Sequence, residues 1–329
     1  MATPYDPGDI QVLEWPDPPR RRPGMFIGDT ASPEHVRYML WYVLGRAVDE
    51  HRHNGAQQID IAIDGARISV ADDGLGLAPE AIVPLLTQPH TARGFESIPV
   101  TCALSNELVF ETWHHGHAYV QRFACGRPVA AVAHLGPTVR HGARVTFEPD
   151  TTIISALAWD EAAITSRCRE LAALLPGLAL AIDDEVVCYP RGLLDHLGYL
   201  AGDVALVAPL HVRVEHAGIP IEVAIAYAPD RGHLQGFVNL VECKGSHIDG
   251  LHAALRTAFR DRGPWSERLA RHLIVIVHVT LEHPMLGPTR TFVRNPEARN
   301  AVAGAVGRAL HRHFEQAPAF LDAVLLSAL

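Results

Sequence analysis

Apolar residues recur at three- and four-residue steps along one early segment: Val36, Met39, Leu40, Val43, Leu44, Ala47 and Val48. That period predicts a helix with a single buried stripe, with Ser32 as its cap and Pro33 at its first position. Tyr42, Arg46, Asp49, Glu50 and His53 share a second face at the same helical spacing, and that face can line a pocket. The period then drops to two. Ile59, Ile61 and Ile63 alternate with other residues, Asp64-Gly65 turns the chain, and Ile68 and Val70 continue the alternation, which predicts a hairpin. The hairpin runs into Asp72-Asp73-Gly74-Leu75-Gly76, a glycine-rich turn directly after a strand. Further strands are predicted at 108–113, 118–123, 129–133 and 143–147.

From about residue 155 the pattern restarts. Helices are predicted at 159–175, 248–261 and 296–315 (Asn295 as cap), with a last apolar helix from Pro318. Strands are predicted at 178–182, 186–189, 221–227, 235–241 and 273–281. A helix, hairpin and mixed strands followed by a second alternation of strands and helices predict an α+β chain. It divides into an arm (1–23), a first domain (24–154) and a second domain (155–329). Prolines 4, 7, 16, 18, 19 and 23 exclude a long helix from the arm.

Composition narrows the class. At 329 residues, 48% apolar and 20% charged, the chain is globular and long enough for two domains. No apolar run approaches the ~18 residues of a membrane span, and the N-terminus has no signal-peptide pattern. Cys102, Cys125, Cys168, Cys188 and Cys243 are scattered and free of CxxC spacing. That argues against disulfides or a zinc cluster and for the reducing cytoplasm. A formal charge of −9 disfavours non-specific DNA binding, and the only short basic cluster is Arg20-Arg21-Arg22.

Several segments in order resemble one known family. YDPGDIQVLE with RRRPGMFIGDT, the helix bearing AVDE, the turn ADDGLGL, HHGHAYVQRFACGRP and HGARVTFEP are similar to the ATPase region of gyrase B and topoisomerase IV B subunits. IPIEVAIAY, NLVECKGSHIDGLHAAL and the GPTR near residue 290 are similar to their transducer domain. The resemblance implies a GHKL-type ATPase sandwich followed by a transducer domain of the ribosomal-S5 type. It also implies that the cleavage and DNA-binding segments of a complete subunit are not among these residues, so no direct DNA cleavage is expected.

The resemblance further implies a nucleotide pocket, and the residues at its positions differ from the family pattern. The general-base glutamate is matched by Tyr42, and a phenol is a poor base at neutral pH. The magnesium-holding asparagine is matched by Arg46, a permanent cation that cannot ligate a metal, so no metal is expected. Asp72 and Gly76, the adenine-reading pair, persist, as do Asp49 and Glu50; Leu75 stands where an arginine partner of Glu50 belongs. Gly142-Ala143 replaces a Gly-Thr pair. Only 28 residues separate Gly76 from Ser105, with Gly94 the sole glycine, where a phosphate loop belongs. Arg290 matches the transducer lysine that reaches the γ-phosphate.

Loss of base, metal ligand and phosphate loop, each worth several kcal/mol (order of magnitude) of transition-state stabilisation, predicts no ordinary ATP hydrolysis. The expected function is a regulatory or ligand-binding module. It would take a small molecule in the former pocket, or ATP or ADP without magnesium, through Asp72, Gly76, Asp49, Tyr5 and Arg290. A second reading makes Tyr42, Arg46 and Glu50 the catalytic groups of a different reaction; a third is a weak ATPase. Tyr5 and Ile10 match arm residues that contact a partner subunit, which implies a homodimer. The histidines of His114-His115-Gly116-His117 read as a solvated turn, Lys244-Gly245-Ser246-His247 as a structural loop, and His90 as part of the shortened lid.

Overall fold

The computed structural model describes residues 13–89, 98–155, 157–260, 271–287 and 291–326. They form two compact units, Met1–Cys168 with Leu178–Cys188, and Arg169–Gly177 with Tyr189–Leu329.

In the first unit, α1 (Asp17–Arg21), α2 (Gly24–Ile27) and α3 (Pro33–Asn54) precede the hairpin β1 (Gln58–Asp64) and β2 (Arg67–Asp72). Then come α4 (Pro79–Thr87), α5 (Ile98–Ala103), β3 (Ser105–His114), β4 (His117–Ala124), β5 (Arg127–Pro128), β6 (Ala133–Pro137) and β7 (Gly142–Pro149). After α6 (Glu161–Leu174), whose residues from Arg169 on fall in the second unit, follow β8 (Ala179–Ile182) and β9 (Glu185–Cys188). The strands form one sheet ordered β5-β4-β3-β7-β2-β1-β8-β9, with β6 also on β4. All recorded pairings are antiparallel except β1 with β8.

Period-two patterning makes one face of this sheet apolar. Ile59, Ile61, Ile68, Val70, Phe110, Val145 and Phe147 are buried, together with the predicted stripe of α3. The Thr101 hydroxyl donates to the Met39 carbonyl (2.8 Å) and ties α5 to α3. The opposite face carries cross-strand charge pairs. Arg67 binds Glu107 (3.3 Å) and Glu148 (3.0 Å), and Arg122 binds Glu107 (3.0 Å). Ahead of the sheet, Arg20 donates to Asp150 at 2.6 Å. Burial alone would raise the Asp150 carboxyl, but hydrogen bonds from Thr152 and Arg20 overcome it and hold it below the usual range.

In the second unit, α7 (Leu193–Ala201), β10 (Val207–His216), β11 (Ile219–Tyr227), β12 (His233–Val238), β13 (Val241–Glu242) and β14 (Lys244–Gly245) lead to α8 (Ser246–Phe259). Then follow β15 (Leu273–Val279), β16 (Phe292–Val293), α9 (Pro296–Gln316) and α10 (Pro318–Leu326). The main sheet runs β10-β11-β15-β12-β13, with β12 parallel to β15. Alanines and leucines of α8 and α9 share one core with Val223, Ile225, Val275 and Val277. Among the described residues no helix is long and apolar enough to cross a membrane.

The α+β architecture follows the expectation; several details do not. Residues 129–131 bend and 132 is irregular, with β5 and β6 on either side; Val129 is 64% exposed, so no sheet face selects that run. The described residues between Gly76 and Ser105, where the shortened lid is expected, are mostly α4 and α5. All six residues of α5 are buried, so it lacks the one-sided pattern that reveals a helix. α1 places a short helix in the described part of the arm. Strands β8 and β9, expected with the second domain, extend the first sheet through β1. Both predicted caps, Ser32 and Asn295, occupy their positions without a capping side-chain hydrogen bond. Asn295 instead accepts from Met285 N–H (2.7 Å) and donates to the His283 carbonyl (3.1 Å).

Two histidines are buried inside the second unit. His196 on α7 donates through Nε2 to Gln235 (3.0 Å). His247 lies where Gly236 leaves room, since a Cβ there would sit 2.5 Å from its Nε2. Burial pushes both imidazoles down to about 4. The unfolded chain therefore binds more protons between pH 4 and 6.5, so this stability is complete above pH 6.5 and lost as pH falls. At pH 5 each histidine costs about 2 kcal/mol. Urea unfolding should show a lower midpoint at pH 5 than at pH 7, and replacing either histidine with Asn should flatten that slope. Equal midpoints would contradict the assignment.

Candidate functional site

The second face of α3 meets the turn after β2. Asp72 ends β2 and its carboxylate is fully buried (0% exposed). Its Oδ1 accepts from the Gly74 N–H (3.1 Å), and its Oδ2 is bound by the Arg46 guanidinium. Arg46 also reaches Glu50 Oε1 (3.5 Å), and Asn54 donates to Glu50 Oε2 (2.9 Å). Arg46, Glu50 and Asn54 are spaced four apart, so they stand in line on the helix. The guanidinium also lies over the Phe110 ring, 5.4 Å from its centroid, where the negative face of the ring favours a cation.

The turn itself is held from several sides. Asp73 Oδ1 accepts the N–H groups of Gln57 (2.7 Å) and Gln58 (2.9 Å). His141 Nδ1 lies 2.7 Å from the Asp73 carbonyl, and His114 Nδ1 lies 3.1 Å from the Leu75 carbonyl. A carbonyl only accepts, so both nitrogens carry the proton. The Thr112 hydroxyl accepts from Leu77 N–H (2.7 Å). Gly76 has φ +72°, and a Cβ would come within 2.8 Å of the Gly142 carbonyl; only glycine fits both demands. Beside this turn the Arg140 guanidinium stacks 3.7 Å from the Trp113 ring centroid.

Of the expected site residues, the structure brings together Arg46, Glu50 and Asp72, with Gly76 in the adjoining turn. Tyr42 points elsewhere: its hydroxyl donates to the Phe26 carbonyl (2.8 Å). Asp49 pairs with Arg52 at 3.7 Å on the surface of α3. Tyr5, Ile10, His90, Gly94 and Arg290 lie outside the described residues. Asn54, Phe110, Thr112 and His141 escaped the sequence reading. Asn54 had a signal, standing four residues after Glu50; the other three come from strands and a loop distant in sequence.

The chemistry of this donor set differs from that of a metal–nucleotide site. A cation fills the space beside Glu50 and Asp72, and guanidinium N–H groups cannot ligate magnesium. Among the described residues no group of three or more His, Cys, Asp or Glu is arranged to hold a metal. The Asp72 carboxylate, which the resemblance assigns to an adenine amino group, already has both oxygens engaged. The residues beside Arg46 therefore do not fit a magnesium ion held in the family manner.

Comparison with known proteins places the chain beside the B subunits of gyrase and topoisomerase IV. The chloroplastic/mitochondrial DNA gyrase B protein of Nicotiana benthamiana is 29% identical over 385 aligned positions, covering 99% of this chain and 52% of that protein. The B protein of DNA topoisomerase 4 from Streptococcus pneumoniae is 30% identical, covering 92% of this chain and 54% of its own. The chain thus spans about half the length of these curated relatives. The Thermus thermophilus gyrase B 43K ATPase domain, solved with an aminocoumarin, superposes with a TM-score of 0.80 at 27% identity, covering 95% of this chain and 93% of its own. The fold is that of this ATPase region. No protein-family model matches the chain. The alignment of 385 positions exceeds the 329 residues here, so the Nicotiana relative carries segments this chain lacks.

Breaking the buried pair from one side should be costly. Arg46→Met leaves the Asp72 carboxylate buried beside Glu50 without its counter-ion, a loss of about 3–5 kcal/mol. The double variant Arg46→Met/Asp72→Asn should recover most of it, because no uncompensated charge remains at Asp72. Urea denaturation of the single and double variants measures this coupling, and additive losses would contradict the pairing.

Proposed function

We propose that this chain is a gyrase-B-type ATPase-and-transducer module that does not hydrolyse ATP and acts as a regulatory or ligand-binding module. The observation that carries the reading is the Arg46 guanidinium lodged between Asp72 and Glu50. In the resemblance that position holds the metal. Here it holds a cation, and the same cation engages the carboxylate that would read adenine. A nucleotide would have to displace a buried ion pair and an aromatic contact before gaining any hydrogen bond of its own.

The other losses point the same way. Tyr42 stands for the general base, yet its hydroxyl is spent on the Phe26 carbonyl, far from the role of activating a water. The same bond argues against Tyr42 as the acid or base of a repurposed enzyme, and no geometry favours that second reading. Any small-molecule ligand of this site would meet a charge set already balanced in part by Arg46.

The test combines turnover and binding. The purified chain with ATP and magnesium should show hydrolysis at the blank rate and no calorimetric binding at micromolar nucleotide. Arg46→Asn, which removes the cation and frees Asp72, should gain measurable adenosine binding. Steady hydrolysis by the unmodified chain, abolished by Asp72→Asn, would overturn the reading.

A further inference from the structure

Strand β10 forms one border of the second unit's sheet and pairs only with β11 among the described residues. It is ten residues long, and alternate residues of such a border strand turn their N–H and C=O groups away from the neighbouring strand. Long border strands are ordinarily blunted by proline, lysine or a bulge. Here the single register shift and Pro209 both lie at the beginning, between Val207 and Leu210. From Leu210 to His216 the strand is regular and carries none of these devices.

Its charges are unevenly matched within the sheet. Arg213 faces Glu222 across β11 and binds it at 2.8 Å, with its side chain still 63% exposed. Glu215 faces Pro220, so its exposed carboxylate meets no charge on β11.

We propose that two copies of this chain pair antiparallel along β10, about a two-fold axis at Val214. Such an axis matches each residue with the one equally far on the other side. With the axis at Val214, Arg213 of each copy stands opposite Glu215 of the partner subunit, so the pair forms twice. An axis at Arg213 sets two arginines against each other, and one at Glu215 sets two glutamates; like charges directly opposite destabilise a strand pair. An axis at Val212 pairs Arg213 with a histidine. Charge thus selects one register, while the outward backbone groups of both strands supply the hydrogen bonds. The guanidinium has five N–H donors, so Arg213 can keep Glu222 and also bind the partner's Glu215. This surface lies in the second unit and is independent of the nucleotide-site reading.

Sedimentation equilibrium of the full chain tests it, with Glu222→Gln as background so that charge reversal at 213 meets no neighbouring carboxylate. The background chain should dimerise. Glu215→Arg should weaken the dimer roughly tenfold or more, and Arg213→Glu/Glu215→Arg should restore it by inverting both pairs. Unchanged circular dichroism in each variant shows that the fold is intact. A monomer at all concentrations, or a dimer indifferent to Glu215→Arg, as one held by the N-terminal arm would be, overturns the proposal.

Discussion

A fully buried carboxylate must have a partner, and in this chain the partner of Asp72 is Arg46. Asp72 is placed by the antiparallel pairing of β2 with β1 and β7, so its position follows from the sheet. Arg46 is placed by the buried stripe of α3, which fixes the rotation of the helix against that sheet. The ion pair is therefore where two independently determined elements meet. Its charge is compensated by Glu50, Asn54, Gly74 and the Phe110 ring, which is the condition for a buried pair to be tolerated at all.

This arrangement gives the residue substitutions one physical meaning. An arginine at the position that the resemblance gives to a metal ligand could have been a surface residue. Instead its guanidinium supplies, from within the chain, both a positive charge beside Glu50 and a donor to Asp72. Tyr42, one turn earlier, closes its own hydrogen bond on the α2 carbonyl of Phe26. The Asp72 carboxylate, which the resemblance assigns to adenine, is turned inward as well.

Much of the fold was legible because period alone reports burial. The α3 stripe, the β1–β2 hairpin and the late helices α8 and α9 each bury one face, and each was found near its observed bounds. Elements buried on all sides or on none left no period: α5 is wholly buried, and the run at 129–132 is exposed. The joining of β8 to β1 depends on pairing between residues more than a hundred positions apart, which local pattern does not encode. At the site, the sharing of one helix face by Arg46 and Glu50 followed from four-residue spacing. Its bond to Asp72 and the closing of Tyr42 onto Phe26 did not, because each depends on side-chain direction across two elements.

The central claim is that Arg46 stays on Asp72 in the presence of nucleotide. Side-chain 15N NMR of arginine-labelled chain, assigned through Arg46→Met, reads that contact directly during titration with ATP and magnesium. The account predicts an Arg46 guanidinium signal, slow in exchange and shifted by its carboxylate, that does not move as nucleotide is added in excess. A saturable shift or loss of that signal, with release of the guanidinium to solvent, would contradict it.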